Sequence, residues 1–248
     1  MKAIIDSHTH TIASGHNTTD KIIDLIRSAS ERGLKALGIT DHNPAIPGSA
    51  KDSYFRSLSF LPRKRLGVKI LYGSEVDVMD ESGKLGMKNS TLALMDVVIV
   101  SEHPPCLKPS KDKERNTNAL VNAVKSGLVD IVGHPDDEKY PLDRKRLVLA
   151  CKEEKVLIEI NNSSLIPNGY RGNAKPFDLE LLSLCKEYSV PVILNSDSHG
   201  KEGVGIFDNC EKVIKEASFP SELIANYNEE LYFSVIQKHK KLRETLKD

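Results

Sequence analysis

The sequence lacks excess charge, paired cysteines, long apolar runs and a complete glycine fingerprint, and each absence narrows what the chain can be. Across 248 residues, 35 Lys and Arg balance 35 Asp and Glu. A formal charge of zero offers no bulk field to attract DNA or an acidic membrane. The four cysteines (Cys106, Cys151, Cys185 and Cys210) stand far apart and form no C-x-x-C pair. Reduced thiols are therefore expected, rather than disulfides or cysteine zinc sites. No stretch approaches the roughly 18 apolar residues that a membrane span needs. The opening, MKAIIDSHTH, has no apolar run long enough for a secretory leader. These readings predict a cytoplasmic protein with no membrane partner. The string GVGIF at 203–207 lacks the third glycine of a dinucleotide fingerprint and opens no convincing strand-to-helix turn. No repeat, low-complexity segment or linker stands out, which predicts one domain over residues 1–248.

What the chain does have is a series of short, β-branched apolar runs, at 2–6, 35–40, 68–78, 96–101, 129–134, 156–161 and 190–196. Their continuous rather than alternating character suggests strands covered on both faces. Helical segments lie between them. TTDKIIDLIRSASERG opens on Thr and Asp, carries Ile22, Ile26 and Ala29 on one stripe and closes at Gly33. ERNTNALVNAVKSG at 114–127 has the same grammar, and DRKRLVLACKEEK and KPFDLELLSLCKEYS follow suit. Residues from about 228 to 246 predict a charged, amphipathic terminal helix. Alternating strands and helices argue for parallel βαβ units. Seven units with no glycine fingerprint favour a closed α/β barrel of seven parallel strands over a doubly wound open sheet.

Seven of the eight histidines fall at the ends of these strands or just beyond. They are His8 and His10 in DSHTHT, His16 in the loop after it, His42 in GITDHNP, His103 in VSEHPP, His134 in VGHP and His199 in NSDSHG. Glu75 ends the third strand, and Asp197 comes with the seventh. In a parallel barrel all strand C-termini open onto one face, where active sites form. Side chains two apart on a strand point the same way. His8 and His10 therefore share a face, as do Asp197 and His199 if the extended geometry persists. One histidine at a strand end is ordinarily a hydrogen-bonding loop residue. Seven together would leave donors unpaired and depress one another's pKa values, whereas metal ions resolve both costs. His239, in the basic tail, is expected on a solvated helix face.

DSHTHT, GITDHN, GSEVD, SEHPP, VGHPD and NSDSHG, in this order, resemble the PHP (polymerase and histidinol phosphatase) family, and more narrowly its small stand-alone bacterial phosphatases of the YcdX type. The resemblance runs from Asp6 to about Gly205, with no departure at a ligand position. It implies a distorted (βα)7 barrel, TIM-barrel-like, holding three divalent metal ions (Zn, Mn or Fe). Carried over residue by residue, it places His8, His10, Glu75 and Asp197 on the first ion. Glu75 would bridge to the second, completed by His103 and His134. His16, His42 and His199 would hold the third. The implied activity is hydrolysis of a small phosphate monoester by attack of a metal-bound hydroxide, so the protein is expected to be a phosphatase acting on phosphoric ester bonds.

Ser196, Asp197 and His199 lie too close in sequence for triad geometry. Arg171, in the loop after the sixth strand, is the best phosphate-binding side chain, because a guanidinium meets phosphate as a bidentate fork. Asp41 is a candidate catalytic residue that would orient a water or a ligand imidazole, with turn capping as its ordinary alternative. Asn161 is a candidate substrate contact. The basic loop 106–115 is read as a solvated charge run. A nuclease of the same family would want a basic groove, which the neutral total does not favour. A non-catalytic metal-binding regulator would be expected to have lost ligands, and all nine are present. An amidohydrolase-like site has no place for a third histidine set. Analogy with relatives leaves a homo-oligomer, a trimer, open.

Overall fold

The computed structural model describes residues 2–246; residues 1, 247 and 248, at the ends of the expected domain, lie outside the described residues. The strands are β1 (Ile5–Asp6), β2 (Thr9–His10), β3 (Ala36–Ile39), β4 (Lys64–Arg65), β5 (Val68–Asp77), β6 (Val97–Ser101), β7 (Ile131–Val132), β8 (Leu157–Asn161), β9 (Val192–Asn195) and β10 (Ser198–His199). The helices are α1 (Ile22–Glu31), α2 (Asp52–Leu58), α3 (Asn89–Leu92), α4 (Lys113–Lys125), α5 (Arg144–Glu154), α6 (Lys175–Tyr188), α7 (Asp208–Glu216) and α8 (Glu229–Arg243). The main sheet runs β1-β3-β5-β6-β7-β8-β9, parallel throughout, with β4 paired antiparallel to the start of β5. These seven parallel strands form the nearly closed barrel that the alternation predicts.

Closure is the unusual part. Near the carboxy-terminal end, β2 and β10 pair in parallel, with His199 opposite His10. Lower down, the side chain of Asn226 fills the gap between β1 and β9. It accepts from Leu194 N at 2.7 Å and donates to Ile5 O at 2.7 Å and Leu194 O at 2.6 Å. One amide thus substitutes for ladder bonds, pairing Leu194 N, Leu194 O and Ile5 O across that gap.

Alternation along the strands sorts the interior. On β6, Val98 and Val100 pack outward against the helices, while Val97 and Ile99 point into the barrel. The inward series on β8 is Leu157, Glu159 and Asn161, and on β6 it ends at Ser101. The barrel interior therefore grades from apolar at the strand N-termini to polar at the C-termini. Tyr232, Val235 and Ile236 of α8 join Ile5, Leu71, Ile99, Ile131, Leu157 and Ile193 in the apolar plug that seals the lower end.

Two expectations require correction. The first helix starts at Ile22, not at the Thr-Thr-Asp string. Asp20 N bonds Thr18 Oγ1 in a loop, and Asp24 Oδ2 accepts from Lys21 N at 2.9 Å to cap the helix. His239 is not solvated but fully buried, 3.2 Å from Asp130 Oδ1 and 3.0 Å from Glu154 O. The basic tail turns its histidine inward because α8 lies across the barrel's lower end, where the carboxylate preceding β7 needs partners.

Candidate metal centre

Of the nine side chains picked out at the strand ends, five imidazoles meet at one carboxylate, that of Glu75. Glu75, fully buried near the end of β5, has Oε2 2.7 Å from His42 Nδ1, 3.4 Å from His8 Nε2 and 3.5 Å from His10 Nε2. Its Oε1 lies 2.7 Å from His134 Nε2 and 3.7 Å from His103 Nε2. Asp197 Oδ1 stands 3.2 Å from His10 Nε2 and 3.7 Å from both His8 Nε2 and His199 Nδ1. The rings of His16, His42 and His199 follow, with His16 4.9 Å from each of the others by centroid. His16 is the exposed member.

Two of these residues sit on left-handed backbone, His134 at φ 30° and Asp197 at φ 50°. Such conformations are costly for residues with a Cβ and concentrate at functional sites. The extended geometry expected to carry Asp197 and His199 on one face therefore does not persist. The chain kinks at Asp197 and resumes as β10, and both side chains still reach the cluster.

A group behind four of the imidazoles, those of His8, His10, His16 and His103, fixes which nitrogen faces the centre. Glu159 Oε1 lies 2.8 Å from His8 Nδ1, and Asp77 Oδ1 lies 2.9 Å from His103 Nδ1. Because a carboxylate accepts, each Nδ1 carries a hydrogen, which leaves Nε2 as the nitrogen that faces the cluster. His10 is held by a relay. Its Nδ1 donates to Ser14 Oγ at 2.9 Å, and Ser14 Oγ donates to Asp41 Oδ1 at 2.8 Å. His16 Nδ1 donates to Ser14 O at 3.1 Å.

The electrostatics follow from this packing. Burial opposes ionisation of Glu75, but the imidazoles of His103, His8 and His42 outweigh it and hold the carboxyl well below its usual range. Burial is likewise outweighed at Asp197 by His8 and Arg171. At His8 burial disfavours charge, yet Glu159, Glu75 and Asp197 raise it above the ordinary imidazole range. His10, lacking a close anion behind it, is pushed down by burial and by His199 and His42.

The donor set fits divalent metal. His8 Nε2, His10 Nε2, His42 Nδ1, Glu75 Oε2 and His199 Nε2 are buried without a hydrogen-bond partner, a concentration that folded proteins otherwise avoid. Imidazole nitrogen with carboxylate oxygen suits Zn, Mn or Fe. Ligand atoms cluster within 4.8 Å in three overlapping groups: His10, His42 and His199; His8, His10 and Glu75; His42, Glu75 and His103. His10, His42 and Glu75 each belong to two groups, so the side chains form one continuous cluster rather than three separate sets.

The remaining candidates divide. Arg171 lines the cleft above the cluster, a cavity of about 880 Å³, with Nη2 2.9 Å from Asp197 Oδ2. Burial disfavours its charge, but Asp197, Asp136, Glu75 and Glu159 raise its pKa further still. Asn161 lies beneath the cleft, its amide donating to Glu159 Oε2 at 2.9 Å and Asp197 Oδ2 at 3.2 Å, while its neighbour Asn162 lines the cleft. Asp41 is fully buried and accepts from Thr11 N at 2.6 Å and Tyr54 OH at 2.7 Å as well as from Ser14. Ser196 Oγ is engaged by Ser198 N and His8 O rather than as a nucleophile. Sequence reasoning missed Glu159, Asp77 and Ser14. Glu159 had a visible signal, an acid in the middle of the apolar strand VLIEIN.

The model of the PHP domain matches residues 6–234. A probable phosphatase from Thermoanaerobacter sp. strain X514 is 42% identical over 226 residues, 91% of each chain. Another from Clostridium novyi is 39% identical over the full length of both. Among solved structures, histidinol phosphate phosphatase from Lactococcus lactis, complexed with zinc, L-histidinol and phosphate, superimposes with a TM-score of 0.60. It is 17% identical, over 89% of this chain and 95% of that one, and shows the shared barrel. With the family model spanning nearly the whole chain and the histidine cluster at the open end of a seven-stranded barrel, this protein belongs to the PHP domain family.

Proposed function

We propose that this protein is a trinuclear metal-dependent phosphatase acting on a small phosphate monoester. The observation that carries the reading is the position of Arg171, whose guanidinium lies against Asp197 in the wall of the cleft over the buried ligand cluster. The curated relatives called probable phosphatases support the same reaction class. The zinc and phosphate bound by the Lactococcus enzyme support both the cofactor and the substrate chemistry.

His8, His10, Glu75 and Asp197 would hold one ion, Glu75, His103 and His134 a second, and His16, His42 and His199 a third. Divalent ions bound there supply Lewis acidity toward phosphoryl oxygens and acidify water at neutral pH. The chain's own residues do the rest. Glu75 stays ionised at every pH near neutrality because its pKa is depressed. Glu159 and Asp77 keep His8 and His103 presenting Nε2 to the cluster. Asp41 acts at a distance, orienting His10 through Ser14. Asn161 steadies Asp197 and Glu159 from below. Arg171 uses Nη2 on Asp197 and Nη1 on Ser164 and has further donors for two phosphoryl oxygens.

The test is phosphate release from a panel of phosphomonoesters and one phosphodiester, with Mn²⁺ or Zn²⁺ added and a chelated control. Release from monoesters, lost on chelation and restored by metal, is the expected result. Arg171→Ala should lower kcat/KM about a hundredfold with metal content unchanged. Cleavage of the diester alone would replace this reading with a nuclease.

A further inference from the structure

The loop after β8 that carries Arg171 also carries two apolar side chains left open to solvent. Ile166 is 49% exposed and Tyr170 is 68% exposed, and both line the cleft over the ligand cluster. Ile46, Pro104, Pro105 and Ile206 line the same cleft. Tyr170 is fixed in spite of its exposure. Lys139 Nζ sits 3.5 Å from the centroid of its ring and donates to Tyr170 O at 2.8 Å.

The charges of the cleft are as telling as its apolar parts. Among the described residues that line it, the single carboxylate is Asp197, and that group is committed to Arg171 at 2.9 Å and to His10 at 3.2 Å. Asn17, Asn162, Ser163 and Asn209 also line the cleft, but they are neutral. An ammonium group on a substrate would therefore trade part of its hydration for neutral dipoles and apolar side chains with no free anion to balance its charge, which is unfavourable. An aliphatic or aromatic group in the same place would remove apolar surface from water on both sides.

From this we infer that the substrate is the phosphate ester of an uncharged, apolar or aromatic alcohol, seated on Ile166 and Tyr170 with its phosphate toward Arg171, and not the ester of an amino alcohol. The inference rests on the phosphatase reading and narrows it. It sets this chain apart from the L. lactis enzyme, whose bound L-histidinol carries an ammonium.

The experiment compares 3-phenylpropyl phosphate with 3-aminopropyl phosphate on the metal-loaded enzyme, since both are alkyl monoesters. The phenyl ester should have the higher kcat/KM by about tenfold or more, mainly through KM. Ile166→Asp, at an exposed position, should shift that ratio toward the amino ester by about tenfold with metal content unchanged, and Tyr170→Ala should lower the phenyl ester alone. Equal rates or preference for the amino ester would overturn the inference and leave the phosphatase reading intact. A ratio unmoved by both substitutions would overturn it as well. Hydrolysis of neither ester by an enzyme that releases phosphate from other monoesters of the panel would overturn the inference alone, whereas release from no monoester at all would remove the phosphatase reading with it.

Discussion

At the amino-terminal end of the barrel, Asp130 receives Arg243 Nη1 at 2.9 Å, His239 Nδ1 at 3.2 Å and Val98 N at 2.7 Å. Beside it, Asp96 binds Arg63 Nε at 2.7 Å and Lys240 Nζ at 2.6 Å. At the carboxy-terminal end, the same residue types meet with far less satisfaction. Four imidazole nitrogens and one carboxylate oxygen point at one another unpartnered. In the lower network only Arg243 Nε, among the described residues, shares that condition. Both ends bury histidines and acids. One end closes its charges with protein groups and is a structural lock. The other keeps its lone pairs for something the chain does not supply.

The comparison predicts that substitutions at the two ends fail in different ways. The largest effect belongs to Glu75, which touches five imidazoles. On the proposed ligand set, Glu75→Gln should cut phosphate release by about a thousandfold or more, because losing the shared carboxylate would weaken every ion that depends on it. Metal per chain, measured by plasma emission, should fall in parallel. The chelated variant should unfold at nearly the wild-type temperature. Full metal content in this variant would break the assignment of the upper end.

Asp130→Asn tests the lower end. The pair it forms with Arg243 has both partners fully buried, and removing one charge strands the other, at a cost of about 3 kcal/mol. Denaturant unfolding of the chelated protein should show that loss, while metal content and turnover per folded chain stay unchanged. Loss of metal without loss of stability would mean that the two ends are coupled rather than separate.

Glu159→Gln sharpens the line between a ligand and its support. Glu159 is fully buried and does not line the cleft. It holds His8 Nδ1, His134 N, Asn195 and Asn161 through its two oxygens. Its removal should reduce metal affinity about 10- to 100-fold, read by competition with a coloured chelator, and should leave the fold intact. An unchanged affinity would show that packing alone orients His8.

How much of this could be read beforehand follows from the same contrast. The clustered histidines were legible because histidine is rare in this chain and seven of its eight copies fall at or just after apolar runs, whose ends barrel topology brings together. The groups behind them were harder. Asp77 and Ser14 are common residues in ordinary contexts, and their role comes from a hydrogen bond that spacing does not encode. His239 was misread because a helix rich in Lys looks solvated along its whole length, and only docking reveals which face turns inward. Asn226 could not have been found at all. Its task depends on a gap between the first and last strands that no local pattern describes.

The smallest predicted effect asks whether an unpartnered buried carboxylate must mean a ligand. Asp178, in the first turn of α6, is fully buried with neither oxygen bonded. Where imidazoles depress Glu75, burial raises Asp178 well above the usual carboxylate range, Asp136 and Glu159 add to it, and Arg144 offsets only part. The folded chain therefore holds this proton more tightly than the unfolded chain. The stability this gives is complete below about pH 4 and is lost as pH rises toward the folded-state value. Asp178→Asn keeps the shape and stays neutral. It should raise the melting temperature at pH 8 by roughly 2 to 4 °C, the shift expected for about 1 kcal/mol in a domain of this size, and the gain should shrink toward pH 5. Metal content should not change. A variant destabilised at pH 8 would show that the chain needs this anion, and the sign of the pKa shift would then no longer separate a ligand from a strained bystander.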